Sequence, residues 1–314
     1  MAVAFVFPGQ GSQAVGMGKA LVDTFPAARA VFDEVDSALN EKLSATIFEG
    51  PADKLTLTEN TQPALMAVSL AAMRVLEKEA GVDLKRDAKF VAGHSLGEYS
   101  SLAAAGAFSI GDAARLLRTR GQAMQKAVPV GTGAMAALLG LDFAAAVSIA
   151  AEASAGGVCQ AANDNGGGQV VVSGDKAAVE RAVELAKTKG AKRAMLLPVS
   201  APFHCALMQP AADVMANALR QVKVNAPVVP VVSNVLVQPL TDPTQIIGAL
   251  VAQVTGTVRW REDVEFMARE GVDTFYEVGA GKVLSGLVKR IAASATGKSI
   301  GTPDDVAAFK AGPA

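Results

Sequence analysis

One turn constrains the fold of this chain more than any other stretch, the glycine-flanked serine of Gly93-His94-Ser95-Leu96-Gly97. The apolar run Phe90 to Ala92 before it predicts the end of a buried strand, and Tyr99 to Ala105 after it predicts a helix. This strand-turn-helix spacing is typical of a nucleophile elbow, in which a strained turn exposes the serine. Free N–H groups at the helix start favour developing negative charge beside Ser95. The alternative is a glycine-rich turn with an incidental serine.

The composition is typical of a tightly packed α/β enzyme. The 314 residues are 51% hydrophobic and carry a net charge of −1, so nothing indicates a nucleic-acid or membrane-surface protein. The most apolar long window, 133–155, contains two acidic residues and cannot span a membrane. Cys159 and Cys205 lie far apart without metal-ligand spacing, and the N-terminal residues lack the basic segment of a signal peptide. We therefore expect free thiols, no metal site and a cytoplasmic location.

The first apolar run, Val3 to Phe7, predicts a central parallel strand that ends in the glycine turn Pro8 to Gln13. A dinucleotide site is a weak interpretation of this turn, because the acidic residues about 20 positions later fall inside a helical stretch. The turn can instead aim backbone N–H groups at an oxyanion. Hydrophobic periodicity predicts helices at 25–39, 64–78, 109–127, 209–220, 243–254, 261–270 and 284–291, and strands at 228–233 and 274–278.

Between residues 129 and 198 the pattern changes to the order β-α-β-β-α-β, which is typical of ferredoxin-like domains. Its strands are predicted at 133–141, 158–163, 169–173 and 192–199, and its helices at 142–155 and 176–189. We therefore predict an α/β fold with two parts. A large α/β-hydrolase-like domain with a parallel sheet would comprise 1–128 and 199–314, and a small ferredoxin-like subdomain would comprise 129–198. The polar segment beyond Thr296 is expected to be loosely held.

Arg120 lies on the apolar face of its predicted helix, whereas Arg115 and Arg118 point the other way. An arginine buried on such a face needs an anion nearby, since an unpaired charge is costly to bury. Two interpretations remain open. Arg120 could form a salt bridge to an internal carboxylate, or it could grip the carboxylate of a ligand through two parallel hydrogen bonds.

The serine needs a base, and the chain contains two histidines. His94 is adjacent to Ser95, and neighbouring side chains at such a turn diverge. His204 lies in a loop that Pro198 and Pro202 restrict, so it is the better base. In α/β-hydrolases an acidic residue and then a histidine follow the serine, and the histidine usually lies near the C-terminal end of the fold. Here no histidine follows the last predicted strand, and three of the four aspartates between Ser95 and His204 fall in the segment 129–198. The pattern therefore favours a Ser-His dyad over a triad.

Five segments, taken together, resemble the malonyl-CoA:acyl carrier protein transacylases of bacterial fatty acid synthesis. They occur in the family's order and cover residues 3 to about 291, with the small insertion where the family has it. Three details differ from the family pattern. Gly166 to Gly168 lack a proline common in that loop, Ala280 stands where proline is common, and Val254 to Thr257 differ from the usual sequence after Gln253. The segments are Phe7-Pro8-Gly9-Gln10-Gly11-Ser12-Gln13, Gly93-His94-Ser95-Leu96-Gly97-Glu98-Tyr99, Arg120-Gly121-Gln122, Ala201-Pro202-Phe203-His204 and Glu277-Val278-Gly279-Ala280-Gly281-Lys282.

The resemblance implies a role for each matching position. Ser95 would be acylated, His204 would be its base, and Arg120 would bind the free carboxylate of the malonyl group. The remaining roles are an oxyanion hole formed by the backbone N–H groups of Gln10 and Leu96, orientation of His204 by the backbone carbonyl of Gln253, and a substrate pocket that includes Phe203, Asn163 and Gln169.

The resemblance also implies the reaction and its partners. A malonyl group would pass from malonyl-CoA to Ser95 and then to the phosphopantetheine thiol of acyl carrier protein, with no cofactor, nucleic acid or membrane involved. The acidic carrier would dock on a basic patch of a monomer, at Lys187, Lys189, Lys192 and Arg193 or at Lys282, Lys289 and Arg290. The alternatives are a transacylase of a polyketide pathway, a serine esterase or thioesterase, and a non-catalytic carrier-binding module.

Overall fold

The computed structural model describes residues 2–129 and 131–311, which form a mixed α/β fold around two β-sheets. The strands are β1 (Ala2–Phe7), β2 (Phe90–Gly93), β3 (Gly133–Leu139), β4 (Cys159–Asp164), β5 (Gln169–Asp175), β6 (Arg193–Leu196), β7 (Val231–Val232), β8 (Pro239–Leu240), β9 (Val272–Val278) and β10 (Thr296–Ile300). The helices are α1 (Lys19–Thr24), α2 (Pro26–Leu39), α3 (Leu43–Glu49), α4 (Ala52–Thr56), α5 (Thr58–Ala80), α6 (Leu84–Asp87), α7 (Leu96–Ala104), α8 (Ile110–Lys126), α9 (Phe143–Ser154), α10 (Lys176–Thr188), α11 (Gln209–Arg220), α12 (Pro243–Thr255), α13 (Trp260–Arg269), α14 (Val283–Ile291) and α15 (Pro303–Lys310), with a 3-10 turn at Ala206–Met208.

The larger sheet has the strand order β10-β9-β1-β2-β7-β8. Strand β1 is parallel to both of its neighbours, β9 and β2, so the predicted central parallel strand is confirmed. Its side chains alternate between two cores, because successive residues of a strand point to opposite faces. Phe5 and Phe7 face the core that contains α5 and α8, whereas Ala4 and Val6 face the core with α13 and α14. Burial on both faces explains the continuous apolar run.

The smaller sheet has the order β4-β5-β3-β6 and is antiparallel throughout. Alanine and valine side chains of α9, α10 and the sheet form a separate core. The predicted element order of this segment is confirmed. The last strand is shorter than predicted and ends at Leu196, since Pro198 cannot donate to a ladder.

Helix α5 runs through the middle of the large core and is almost entirely buried along its first five turns. It begins at Thr58, so the prediction of a start at residue 64 is wrong. Pro63 lies inside the helix. The earlier start is stabilised by side-chain bonds to the preceding helix: Asn60 Nδ2 donates to the carbonyl oxygen of Lys54 at 2.8 Å, and Thr61 Oγ1 donates to that of Leu55 at 2.6 Å.

The prediction of a loosely held segment beyond Thr296 is wrong. Strand β10 extends the large sheet by pairing with β9, and α15 follows with a capping box between Thr302 and Asp305. Phe309 packs edge-on against Tyr276, with ring centroids 5.0 Å apart. The segment is polar because β10 is an edge strand with one face exposed. Within the described residues, no helix has the length and hydropathy to cross a membrane.

Candidate active site

Ser95 occupies the turn between β2 and α7, as the sequence predicts. Its backbone has φ 55° and ψ −108°, a strained conformation for a residue with a side chain. The flanking glycines allow the turn because a Cβ on Gly93 would lie 1.9 Å from the carbonyl oxygen of Gly97. A Cβ on Gly97 would lie 2.2 Å from the carbonyl oxygen of Phe7. Both positions therefore require glycine, and the turn packs directly on β1.

His204 reaches Ser95 from the chain that follows the small sheet. Its Nε2 lies 2.7 Å from Ser95 Oγ, and its Nδ1 lies 2.9 Å from the backbone carbonyl oxygen of Gln253. A carbonyl can only accept, so Nδ1 carries the hydrogen and Nε2 is free to accept the serine proton. Burial, together with the positive charge of Arg120, lowers the pKa of His204 to about 3. The imidazole is therefore neutral at physiological pH, as a general base must be.

Arg120 is 1% exposed and lies beside the dyad. Its Nη1 donates to Gln62 Oε1 at 2.7 Å, and its Nη2 donates to Gln253 Oε1 at 2.7 Å and to Ser95 Oγ at 3.1 Å. The guanidinium carbon lies 5.6 Å from the ring centroid of Tyr99. No carboxylate of the described residues lies within 4 Å of Arg120, and its Nε is buried there without an acceptor. Of the two interpretations of this residue, a direct internal salt bridge is therefore wrong.

The turn after β1 lies against the elbow. A Cβ on Gly9 would lie 2.7 Å from the carbonyl oxygen of His94, so glycine permits this approach. Gln10 follows Gly9, and its side-chain oxygen accepts from the Thr58 hydroxyl at 2.9 Å. Leu96 is the first residue of α7, so its N–H has no acceptor within the helix. Both residues predicted for an oxyanion hole line the same cavity as Ser95.

That cavity has a volume of about 540 Å³ and lies between the two sheets. Gln253 contacts the site from behind its wall, through the hydrogen bonds already described. The other predicted site residues all line the cavity: Gln10, Ser95, Leu96, Arg120, Asn163, Gln169, Phe203 and His204.

Asn234 holds the strained turn in place. Its Oδ1 accepts from the backbone N–H of Ser95 at 2.8 Å, and its Nδ2 donates to the carbonyl oxygen of Gly93 at 2.9 Å. The same Nδ2 donates to Asp263 Oδ2 at 3.0 Å. Sequence reasoning missed Asn234. The feature of the sequence that could have indicated Asn234 is its position directly after the predicted strand 228–233.

Three further residues escaped the sequence analysis. Gln62 anchors Arg120, and a glutamine inside an apolar helix carries no specific signal. Asn165 Oδ1 lies 2.9 Å from His94 Nε2, and this hydrogen bond joins the loop between β4 and β5 to the turn that carries Ser95. Glu98 is 2% exposed, and its place one residue after the elbow motif could have indicated a buried carboxylate. Burial lowers the pKa of His94, and the bond to Asn165 opposes this effect.

Within the described residues, no three histidine, cysteine, aspartate or glutamate side chains are grouped as a metal site would require. The site itself offers a nucleophile, a neutral base and a buried cation. Such a set can form and break an ester of Ser95 whose acyl group carries a negative charge.

A family model for the acyl transferase domain matches residues 4–302. The malonyl CoA-acyl carrier protein transacylase of Escherichia coli (strain K12) is 49% identical over 305 residues, which cover 97% of each chain. The crystal structure of acyl-carrier-protein-S-malonyltransferase from Bartonella henselae is 59% identical, with a TM-score of 0.96 over 98% of each chain. A type II PKS acyl-carrier protein has been solved in complex with its malonyl-transacylase, which is 42% identical with a TM-score of 0.96 over 100% of each chain.

Proposed function

Because this chain belongs to the acyl transferase domain family, we propose that it transfers the malonyl group of malonyl-CoA to the phosphopantetheine thiol of acyl carrier protein. The product supplies extender units for fatty acid synthesis. The observation that carries the proposal is Arg120, a buried cation within hydrogen-bond distance of the Ser95 hydroxyl and without a carboxylate partner among the described residues. An acyl group with a free carboxylate would complete this site.

The transfer proceeds in two half-reactions through an ester of Ser95. His204 Nε2 takes the hydroxyl proton of Ser95 while Oγ attacks the thioester carbon. The tetrahedral oxyanion forms beside the N–H groups of Gln10 and Leu96, and the C–S bond then breaks. Coenzyme A leaves with the proton held by His204. The carrier's thiol next gives its proton to His204 and attacks the ester, and Ser95 leaves with that proton.

Arg120 and Phe203 would set the choice of acyl group. An acetyl group would bring no carboxylate to the buried guanidinium, so it would lack the charge-assisted hydrogen bonds that a malonyl group can form with Arg120. Phe203 is buried in the wall of the cavity beside His204, where its bulk disfavours a branched α-carbon. Asn163 and Gln169 of the smaller sheet lie on the cavity wall and would contact the substrate.

We also propose the domain boundaries and fold types predicted from the sequence. An α/β-hydrolase-like domain of residues 1–128 and 199–314 is supported by the origin of the larger sheet, whose strands lie in 2–93 and 231–300. Residues 1, 130 and 312–314 lie outside the described residues. A ferredoxin-like subdomain of 129–198 is supported by the order β4-β5-β3-β6, in which the first and third strands in sequence are central.

The carrier would dock near α14 rather than near the end of α10. Helix α14 lines the cavity with Val283, Leu284 and Leu287. The exposed Lys282, Lys289 and Arg290 form no ion pair with another described residue. By contrast, acidic neighbours already neutralise part of the other cluster, since Lys187 pairs with Glu184 and Lys189 with Glu152. A carrier bound at α14 could insert its phosphopantetheine arm directly into the cavity.

We further propose a cytoplasmic monomer that needs no cofactor. The free, buried thiols of Cys159 and Cys205 suit a reducing compartment.

A transacylase of a polyketide pathway is a second candidate, because the similar malonyl-transacylase in complex with a carrier serves a type II PKS. It would use the same residues and the same chemistry. A serine esterase or thioesterase shares the elbow but gives no reason for a buried cation beside the serine. A non-catalytic carrier-binding module would leave the 2.7 Å contact of Ser95 and His204 without a role.

The proposal is tested by the intact mass of the protein after brief mixing with malonyl-CoA, followed by peptide mapping. We expect a malonyl adduct on Ser95 that disappears when acyl carrier protein is added. The Ser95→Ala variant should form no adduct. Accumulation of free malonate without an adduct would favour the hydrolase instead, and no adduct and no turnover would contradict an acyltransferase of malonyl-CoA.

A further inference from the structure

A buried polar cluster lies behind Ser95, on the side away from the cavity. Glu98 Oε2 accepts from Gln253 Nε2 at 2.7 Å and from the backbone N–H of Asn234 at 3.3 Å. Gln253 Nε2 also donates to the carbonyl oxygen of Ser95 at 2.9 Å. Asp263 meets the cluster through Asn234. The transfer steps described above make no use of either carboxyl group.

Gln253 connects this cluster to the substrate-binding cation. Its side-chain oxygen accepts from Arg120, while its side-chain nitrogen donates to Glu98. Arg120 and Glu98 therefore lie on opposite sides of one amide group. A chain of hydrogen bonds with a cation at one end and an anion at the other is polarised along its length, which strengthens both bonds.

The buried charges of this cluster can be counted from their surroundings. Arg120 is positive. His204 is neutral at physiological pH, because its pKa is held at about 3. Burial raises the pKa of Asp263 well above its usual value, and the nearby charge of Glu98 raises it further. This rise favours the neutral form of Asp263, which meets the cluster through Asn234 rather than through Gln253. Glu98 is the carboxyl group of the cluster that reaches Arg120 through a single amide group, so it is the group placed to balance Arg120 in the empty site.

We propose that Glu98 is the internal counter-ion of Arg120, and that it takes up one proton when the carboxylate of the acyl group binds to Arg120. The inference rests on the proposed function and deepens it. The proton comes from solvent and bonds to a carboxylate oxygen of Glu98, while the carboxylate of the substrate stays ionised. The buried cluster thus keeps one positive and one negative charge before and after loading, and never has to hold two anions against one cation.

Glu98 is then a positioning residue that acts through Gln253. In either protonation state it retains an oxygen that accepts from Gln253 Nε2, so Gln253 Oε1 stays directed at Arg120. An acyl group without a carboxylate brings no second anion and leaves Glu98 ionised. Proton uptake should therefore accompany malonyl loading alone.

The direction of the pH dependence follows from the environment of Glu98. Burial raises the pKa of Glu98 to about 7, although the hydrogen bond from Gln253 and the charge of Arg120 oppose the rise. Besides Arg120, Asp263 and Tyr99 are titratable groups that interact with Glu98 among the described residues, and burial raises the pKa of both, which favours their neutral forms. A bound carboxylate near Arg120 raises the pKa of Glu98 further. Below pH 7 Glu98 is mostly protonated before the substrate binds, so malonyl loading takes up few protons. Above pH 7 the uptake approaches one proton per malonyl group. The binding of malonyl-CoA then weakens by at most about tenfold per pH unit.

The experiment mixes the protein with malonyl-CoA at pH 8 in weak buffer with an indicator dye, and measures the adduct in the same sample by intact mass. We expect close to one proton taken up per malonyl adduct in the wild type, and none in Glu98→Gln. The KM for malonyl-CoA should rise above pH 7 in the wild type and stay level in Glu98→Gln. Asp263→Asn is the matched control, a buried carboxyl of the same cluster whose replacement should leave proton uptake unchanged.

Three results would overturn the role of Glu98: an adduct without proton uptake in the wild type, uptake that persists in Glu98→Gln, or uptake that is lost in Asp263→Asn alone. If Glu98→Gln does not fold, the wild-type uptake and the slope of KM against pH decide the question. Absence of any adduct would instead contradict the proposed function, so the two failures are distinguishable.

Discussion

Gln62 contacts the guanidinium of Arg120 through a neutral amide oxygen, which leaves the charge of Arg120 available to an acyl carboxylate. In Gln62→Glu a carboxylate of the same shape would replace that amide. It would form a buried ion pair with Arg120 and compete with the substrate. We expect the rate of malonyl loading, measured by intact mass, to fall at least about tenfold without a loss of thermal stability.

Gln122→Glu is the matched control for this change, because it adds the same charge to an exposed position two residues from Arg120. It should load malonyl at the wild-type rate. Unimpaired loading in Gln62→Glu would mean that Arg120 does not bind the carboxylate.

The pH profile of loading is set by the lowered pKa of His204. A histidine of ordinary pKa would lose its activity as a base when the pH falls through about 6.5. The pKa of His204 is about 3 in the folded protein, so its neutral form persists down to that pH. We expect kcat/KM for malonyl loading, which reports the free enzyme, to show no decline between pH 7 and pH 5. A decline centred near 6.5 would show that His204 titrates normally or is not the base.

At this scale the sequence predicted the residues whose chemistry is unusual in its context. A serine between two glycines, a histidine that closely follows two prolines and an arginine on an apolar face each stand out. Gln62, Asn234 and Glu98 do not, because an amide or carboxylate acquires its role from partners far away in sequence. Asn234, for example, holds Ser95 across 139 positions.

At the scale of elements, Gly121 sets the distance between helices α8 and α5. A Cβ at this position would lie 2.5 Å from the Cα of Glu59. Gly121→Ala would push the two helices apart and separate Arg120 on α8 from Gln62 on α5. We expect a loss of about 1–3 kcal/mol in the free energy of unfolding, and slower malonyl loading. Chemical denaturation and the loading assay would measure the two effects.

The control for this substitution is Gly248→Ala in the middle of α12, where a Cβ would meet nothing within 4 Å. This variant should gain about 0.5–1 kcal/mol, because alanine has the higher helix propensity. A Gly121→Ala protein of unchanged stability and loading would show that the helices can separate without moving the site.

Periodicity predicted most elements because their burial is one-sided. It failed where burial is not periodic. Helix α5 is buried on all sides near its start, so its first residues gave no amphipathic signal. Strand β7 comprises Val231–Val232 in a longer apolar stretch, since it pairs with β2 over two residues. Strand β10 exposes one face and reads as polar. The ends of these elements depend on tertiary partners that local sequence does not record.

At the scale of the whole molecule, the cavity lies where the smaller sheet meets the larger one. Asn163 and Gln169 come from the smaller sheet, Ser95 follows β2 of the larger sheet, and His204 lies in the segment that returns from β6. The bond of Asn165 to His94 and the pairing of Asn163 with Val258 fix this contact. The sequence predicted two units but not how they meet, because the joining contacts pair residues that lie far apart in sequence, such as Asp164 with Arg261. The resemblance to a known family supplied that information instead.

The carrier protein should dock on the surface of α14, and charge reversal there tests the choice between the two basic clusters. In Lys289→Glu/Arg290→Glu the exposed charges beside the cavity would repel an acidic carrier. We expect the KM for acyl carrier protein to rise at least about tenfold at low salt, while loading from malonyl-CoA stays unchanged. Lys187→Glu/Lys189→Glu is the matched control, with the same change in net charge at a site already paired with acidic residues. Equal effects of the two double variants would mean that only net charge matters, and an effect confined to the second would place the carrier at the end of α10.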